Sequence, residues 1–351
     1  MDIAFRTDGK GAALAQSESL EAPSPREIRV RVKAVGLNFR DHYFIRGNRF
    51  RASAMGRVPC TDAVGIVTHV GADVDRFRVG DRVCSVVLPG WIDGPLTMAA
   101  LSDSLGSEAR DGVLRGHVQI DESAWVHAPA YLSDIEAATL SVAAVTAWHA
   151  VIELCAVQPG QTIVVQTTGA VALFAMQFAL AIGARVIAVS RSEDKLRRVS
   201  DLGVGQTIDT SHVPDWDVAV RELTDGKGAE LVIDMGLTDS LRQSVRATAF
   251  EGTVAVVGVV QERTNALDIF PVMNKNLRVR GVETGSRVMF ERMNAFMSAQ
   301  DIHPIVDRIF APDQLDAALD HLASSPFGKT VIRFESDNDG SATQSSDVER
   351  R

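Results

Sequence analysis

The stretch Thr162-Ile163-Val164-Val165-Gln166-Thr167-Thr168-Gly169-Ala170-Val171-Ala172 decides the fold. A short apolar run ends in a turn and passes straight into a second apolar stretch, Ala170 to Ala184, interrupted by Gln177. That is the layout of a strand, a tight turn and a buried helix. A dinucleotide-binding turn wants glycine where the chain bends, glycine where the backbone meets a pyrophosphate, and a small residue where helix packs on strand. Thr167, Gly169 and Ala172 hold those three positions. The turn is one glycine short, so a bare helix-packing turn is the competing reading. On the binding reading Thr168, Gly169, Ala170 and Val171 are the residues beside the cofactor.

Working outward, the next strand, Arg185 to Ser190, ends where a residue contacting the adenosine ribose belongs, about twenty residues past the turn. An NAD site shows Asp or Glu there. Here the residues are Ser190-Arg191-Ser192, with Lys195 one turn along. A guanidinium that bonds bidentately and two hydroxyls suit a 2′-phosphate, hence NADP(H). The alternative is that Arg191 and Lys195 are solvated charges at a helix start. That helix, Glu193 to Leu202, has Ser192 as N-cap, acids in its first turn, Arg197 and Arg198 near its end and Gly203 after it, which is the expected polarity of caps and charges.

Strands follow at Thr207 to Asp209, Glu230 to Asp234, Gly252 to Val259 and Leu277 to Thr284, and an Ala-rich helix, Asp134 to Cys155, precedes the turn. Alternating strands and helices with continuous Val/Ile runs predict a doubly wound parallel sheet, an α/β Rossmann domain. Leu277 to Thr284 reads as a long, weakly charged edge, and such an edge pairs with its symmetry mate, so a homodimer is expected. Before residue 125 the pattern is different. Glu27 to Gly36 alternates apolar and polar, and Asp62 to Val70 and Phe77 to Val87 are short runs punctuated by Gly and Asp, which predicts a barrel-like β domain. Ile305 to Phe310, Pro312 to Ala323 and Lys329 to Phe334 read as strand, helix and strand returning to it. The expected division is 1–125, 126–303, a return segment 304–335, and a disordered tail 336–351 with almost no apolar content.

Composition narrows the function. The 351 residues carry a formal net charge of −9, and without a Lys/Arg block the chain offers no footprint for nucleic acid or an anionic membrane. No apolar run reaches the ~18 residues of a membrane span. The N-terminus lacks a secretory layout, and three scattered cysteines, Cys60, Cys84 and Cys155, make poor disulfide material, so a reducing cytoplasm is expected. Three cysteines also cannot form a four-cysteine zinc cluster.

Seven segments carry a resemblance: GLNFRDHYFIRG (36–47), VGADVDRFRVGDRV (70–83), LPGWIDGP (88–95), AATLSVAAVTAWHAV (137–151), VQPGQTIVVQTTGAVALFAMQFALAIGARVIAVS (157–190), GVETGSRVMFERMNA (281–295) and FGKTVIRF (327–334). In their order and spacing the chain resembles the medium-chain dehydrogenase/reductase superfamily, and most nearly its quinone oxidoreductase-like branch, often labelled zinc-type alcohol dehydrogenase-like. The resemblance implies a GroES-like β-barrel catalytic domain, a Rossmann domain, and a nicotinamide cofactor between them.

At the family's catalytic zinc-ligand positions this chain has Asn38, Thr61 and Val142, and the cysteine-rich structural lobe is replaced by PGWIDGPLTMAALSDSLG, so no zinc is expected. Cys60 departs from the usual glycine and reads as a small buried residue rather than a lone ligand. The resemblance places Asn38 and Tyr43 in the substrate cleft as catalytic candidates, Tyr43 as proton or hydrogen-bond donor, with simple packing as its alternative. Asp41 resembles a scaffold carboxylate, His42 faces solvent or cleft, and His149 packs a helix. Thr146 and the run Val256 to Val260, including Gly258 and Val259, match nicotinamide-pocket positions, or are ordinary core; Lys329 matches a residue that reaches the cofactor. The expected activity is NADPH-dependent, zinc-independent hydride transfer to a small carbonyl, quinone or α,β-unsaturated carbonyl. The alternative is a non-redox descendant with a decayed turn, motivated by Thr167 and Ala170.

Overall fold

The computed structural model describes residues 2–47, 53–237, 239–258 and 267–334. Six parallel strands form one sheet, in the order Gln206–Asp209, Arg185–Ser190, Thr162–Gln166, Ala229–Asp234, Thr248–Val256 and Arg278–Gly281. The order reverses between Thr162–Gln166 and Ala229–Asp234, and a crevice opens at the carboxyl ends of strands at such a point. Thr162–Gln166 is buried along its whole length because both faces of the sheet are covered. Ile163 and Val165 join Leu173 and Phe174 of the helix Ala170–Ala181 in one core, and Val164 joins Trp216, Val220 and Val245 in the core of the opposite face. Successive side chains of a strand point to opposite faces, so one apolar run serves both cores.

The second sheet has seven strands. Val306–Phe310, Lys329–Arg333, Glu27–Leu37, Asp62–Val70, Arg82–Ser85 and Trp125–His127 are ordered side by side, and His117–Asp121 also pairs with Glu27–Leu37. Lys329–Arg333 lies antiparallel to Glu27–Leu37, with Val331 opposite Gly36, so the last described strand is built into the first domain. Glu27–Leu37 alternates buried and half-buried residues up to Ala34 and is then buried continuously. Gly36 sits in that continuous part for a steric reason: a Cβ there lies 2.2 Å from the Ala138 carbonyl oxygen and 3.2 Å from Lys329 Cε.

Three expectations are corrected. Asp134 to Cys155 is not one α-helix but Asp134–Ala137, the π-helical Leu140–Ala144, Val145–Trp148 and the π-helical His149–Leu154. Hydroxyls compete for its carbonyls, Thr139 donating to Glu136 O at 2.7 Å and Thr146 to Val142 O at 2.6 Å, which loosens regular α pairing. Phe77 to Val87 contributes only the strand Arg82–Ser85, because Asp81 accepts from the Arg78 N–H at 2.9 Å and closes a turn. The edge Leu277 to Thr284 contracts to Arg278–Gly281, with Arg278 and Arg280 exposed, since the Glu283 and Thr284 carbonyls turn inward to accept from His149 Nδ1 at 3.1 and 2.8 Å. That edge is short and carries two guanidiniums. Val259, Val260 and the segment from Ser336 lie outside the described residues.

Candidate active site

The two sides of the crevice are built differently. On the sheet side, Thr167 stands at φ 70°, the left-handed region that a β-branched residue adopts under strain. Its N–H donates to Val189 O at 2.7 Å. Gly169 follows as the N-cap of Ala170–Ala181, with no side-chain cap. A Cβ on Gly169 meets nothing nearer than Thr167 Oγ1 at 4.0 Å, so the backbone stays open to a close-lying group. The first N–H groups of the twelve-residue helix face the same space, and unpaired helix N–H groups attract anions. Thr168 is buried, Ala170 and Val171 are half-buried, and Gly169 forms a parallel bridge with Gly328 of the return segment.

At the adenosine end Ser190 closes its strand half-buried, and Arg191 is exposed with no hydrogen bond or ion pair among the described residues. Lys195 differs: its ammonium donates to the Ser325 carbonyl of the return segment, so it is already engaged. Gly258 lies two residues past the end of Thr248–Val256, where Val257 N–H donates to Asp234 O at 2.9 Å. Thr146 is buried with its hydroxyl on Val142 O. An open glycine turn and an unpartnered cation at the next strand end fit a nicotinamide dinucleotide.

On the barrel side, Asn38 caps the helix Phe39–Arg46, its backbone N–H donating to Asp41 Oδ2 at 2.8 Å. Lys329 Nζ donates to Asn38 Oδ1 at 2.8 Å and to Asp62 Oδ2 at 3.1 Å. Lys329 and Asp62 are 2% and 0% exposed, so this is a buried ion pair. Thr61 Oγ1 donates to the other Asp62 oxygen at 2.9 Å. Burial, with the Asp62 charge nearby, pushes the Asp41 carboxyl up to about 7, against the pull of Arg40 and Lys329. Cys60 is buried at φ 71°, a strained place where a glycine is free, and burial with Asp41 and Asp62 beside it drives its thiol well above the usual range. Asn38, Thr61 and Val142 offer no thiolate, imidazole or carboxylate, so these positions do not fit a catalytic zinc. No three His, Cys, Asp or Glu among the described residues form a metal-holding group.

Tyr43 is half-buried in a ring cluster with Phe39 and His42, at centroid distances of 5.7 and 5.9 Å. His42 feels Arg46 and Asp320, and Arg46 pairs with Asp316 of the helix Leu315–Ala323 at 2.9 Å. His42 therefore faces that helix, and burial followed by the Arg46 charge lowers its pKa. His149 pins the loop after the edge strand and stacks edge-on against Trp91, as a packing histidine does.

Sequence reasoning missed two features. One is the Lys329–Asp62 pair; its only trace is a charge at the start of each of two apolar strands. The other is a buried network at the crevice, where Gln166 donates to Ser244 Oγ at 2.9 Å, Ser244 to Asp234 Oδ2 at 2.5 Å and Ser240 to Asp234 Oδ1 at 2.9 Å. A polar residue ending each of two neighbouring apolar strands was its signal.

Comparisons with known proteins agree with this two-domain geometry. A family model described as an alcohol dehydrogenase GroES-like domain matches residues 24–130, and one described as a zinc-binding dehydrogenase matches residues 170–299. A zinc-type alcohol dehydrogenase-like protein of Schizosaccharomyces pombe is 36% identical over 328 residues, covering 91% of this chain and 94% of the relative. A quinone oxidoreductase of Pseudomonas aeruginosa is 34% identical over 239 residues, 67% of this chain and 66% of its own. The crystal structure of an NAD-dependent alcohol dehydrogenase superposes with a TM-score of 0.84 at 30% identity, covering 95% of this chain and all of that one. The chain belongs to the medium-chain dehydrogenase/reductase superfamily of oxidoreductases, with a GroES-like domain and a Rossmann domain. Among the described residues no helix is long and apolar enough to cross a membrane.

Proposed function

We propose that the protein is an NADPH-dependent, zinc-independent reductase of a carbonyl, quinone or α,β-unsaturated carbonyl substrate. The observation that carries this reading is the buried amide of Asn38, whose Nδ2 has no partner among the described residues, at a position where a zinc enzyme holds a metal ligand. Bound NADPH supplies the hydride. Asn38 Nδ2 donates to the substrate oxygen and stabilises the negative charge that gathers there, which is the work of a preorganised donor in a water-poor site. Tyr43 delivers the proton. Arg191 and Ser190 receive the 2′-phosphate, and Gly169 admits the pyrophosphate.

Titration with NADPH and with NADH, followed by nicotinamide fluorescence, tests the cofactor; tighter NADH binding defeats the phosphate assignment. Mixing enzyme, NADPH and 1,4-benzoquinone or 2-cyclohexen-1-one, and following loss of reduced nicotinamide, tests the reaction. Tyr43→Phe is expected to lower turnover ~100-fold and leave the NADPH Kd unchanged; wild-type turnover reduces Tyr43 to packing. The strain at Thr167 favours one competing reading, a non-redox descendant, and no binding of either nucleotide at millimolar concentration selects it. The working unit in this proposal is a cytoplasmic homodimer that meets through the apolar surface flanking the short Arg278–Gly281 edge. Exposed Phe250, Ile269, Phe270 and Met273 in the adjoining elements support it, and a monomer in light scattering removes it.

A further inference from the structure

We propose that Lys329 acts on the substrate side as a positioning residue: its buried ammonium fixes the side-chain amide of Asn38 so that Nδ2 presents its N–H to a substrate carbonyl oxygen. This rests on the reductase reading above and assigns Lys329 a task other than reaching the cofactor.

Donor and acceptor capacity fixes which way the Asn38 amide faces. An ammonium donates and never accepts, so the Asn38 atom 2.8 Å from Lys329 Nζ is the carbonyl oxygen. That removes the usual twofold ambiguity of an amide. Nδ2 then points away from Lys329, and it is buried with no hydrogen-bond partner among the described residues, in a residue only 9% exposed. A buried N–H left without an acceptor has lost its water and gained no partner in exchange, and such groups are rare in folded proteins. An incoming acceptor oxygen relieves that penalty, whereas an apolar ligand leaves it in place.

The surroundings hold this orientation rather than merely permit it. Asp62 grips Lys329 at 3.1 Å, and Thr61 fixes the carboxylate by donating to its other oxygen at 2.9 Å. The Lys329 stem passes over Gly36, where a Cβ would lie 3.2 Å from Cε and 2.2 Å from the Ala138 carbonyl oxygen, so a side chain there would crowd the lysine and clash with the backbone beside it. The Asn38 backbone is held by Asp41 at 2.8 Å. If the amide turned over, its N–H groups would face an ammonium and its oxygen would face the substrate oxygen, and both contacts are repulsive. Thr61 and Asn38 thus stand at two zinc-ligand positions and form the two ends of a chain, Thr61–Asp62–Lys329–Asn38, that prepares a neutral hydrogen-bond donor where relatives of the zinc type have a metal.

The test uses 2-cyclohexen-1-one as probe with the NADP+-loaded full chain, read by isotope-difference infrared spectroscopy of the ketone, alongside steady-state turnover with NADPH. Wild type is expected to move the carbonyl band to lower frequency. Asn38→Leu, which keeps the shape and removes the amide, and Lys329→Met/Asp62→Asn, which removes both charges together, are each expected to lose that shift. Both should lower kcat about 100-fold, the usual effect of deleting one such donor, with KM and the NADPH Kd little changed. If the Met pair does not fold, Asp62→Asn alone is read instead and must show a smaller band change and a smaller kcat loss. A wild-type band position and kcat in the Lys329/Asp62 variant, or in Asp62→Asn when that is the one read, overturns the positioning role while leaving the reductase reading intact. An unshifted band in wild type that still oxidises NADPH does the same. A wild type that neither binds NADPH nor oxidises it with cyclohexenone or benzoquinone overturns the reductase reading, and this inference with it.

Discussion

The glycine turn on the Rossmann side and the polar floor on the barrel side face one crevice, yet they are assembled on opposite principles. The turn is contiguous: Thr167, Gly169 and the first residues of Ala170–Ala181 follow one another in the chain. The floor joins residues far apart, Lys329 meeting Asn38 across 291 positions and Asp62 across 267. A contiguous site tolerates a poor residue by local strain, as Thr167 does at φ 70°. A dispersed ionic site has no such latitude, because removing one member strands its partner without water.

That contrast is sharpest in stability. Lys329→Met alone leaves the Asp62 carboxylate buried, and breaking a buried pair in this way costs about 3–5 kcal/mol. Urea unfolding should show that loss, and Lys329→Met/Asp62→Leu should recover most of it. A loss below about 1 kcal/mol, the range of surface pairs, means the pair is not sealed from solvent.

Asp41 supplies the next test. Its folded-state pKa of about 7 lies above the ordinary 3.8, so the folded chain keeps a proton that the unfolded chain releases. The stabilisation from that proton is complete below about pH 4 and is lost as pH rises toward 7, with a slope of up to ~1.4 kcal/mol per pH unit. Asp41→Asn should lack this decline. Chemical denaturation of both proteins at a series of pH values measures it, and parallel curves dismiss the shifted carboxyl.

Smaller effects are expected on the turn side. Arg191→Ala should weaken NADPH by about 1.5–3 kcal/mol, roughly ten- to more than a hundredfold, and leave NADH nearly unchanged; equal loss for both nucleotides places Arg191 elsewhere. Thr167→Gly should relieve left-handed strain of about 1–2 kcal/mol, offset in part by glycine's greater freedom in the unfolded chain. Tm is expected to rise by a few degrees at most. A fall in Tm means the Thr167 side chain holds the turn by contacts that outweigh its backbone strain.

Legibility in the sequence followed the same divide. Asp62–Val70 and Arg185–Ser190 have the bounds that alternation and apolar runs predict, and Glu193–Asp201 differs from its expected span by one residue, with Ser192 accepting from Lys195 N–H at its start. The broken helix between Asp134 and Leu154 was not legible, because the hydroxyls of Thr139 and Thr146 act on carbonyls three or four residues back without disturbing the apolar pattern. The Lys195–Ser325 contact was not legible for a different reason: nothing near Lys195 in the chain announces that Ser325 will lie beside its ammonium.

What the sequence by itself determined was therefore strands such as Asp62–Val70 and Arg185–Ser190, the cap and span of Glu193–Asp201 to within a residue, the glycine turn, and which residues stand at 38, 61 and 142, since each is an interaction between near neighbours or a matter of residue identity. Only the tertiary structure decided that Lys329 lies beneath Asn38. That contact follows from the antiparallel register that sets Thr330 against Leu37 and Val331 against Gly36, and register is chosen by the burial of whole faces, which no local stretch of chain contains.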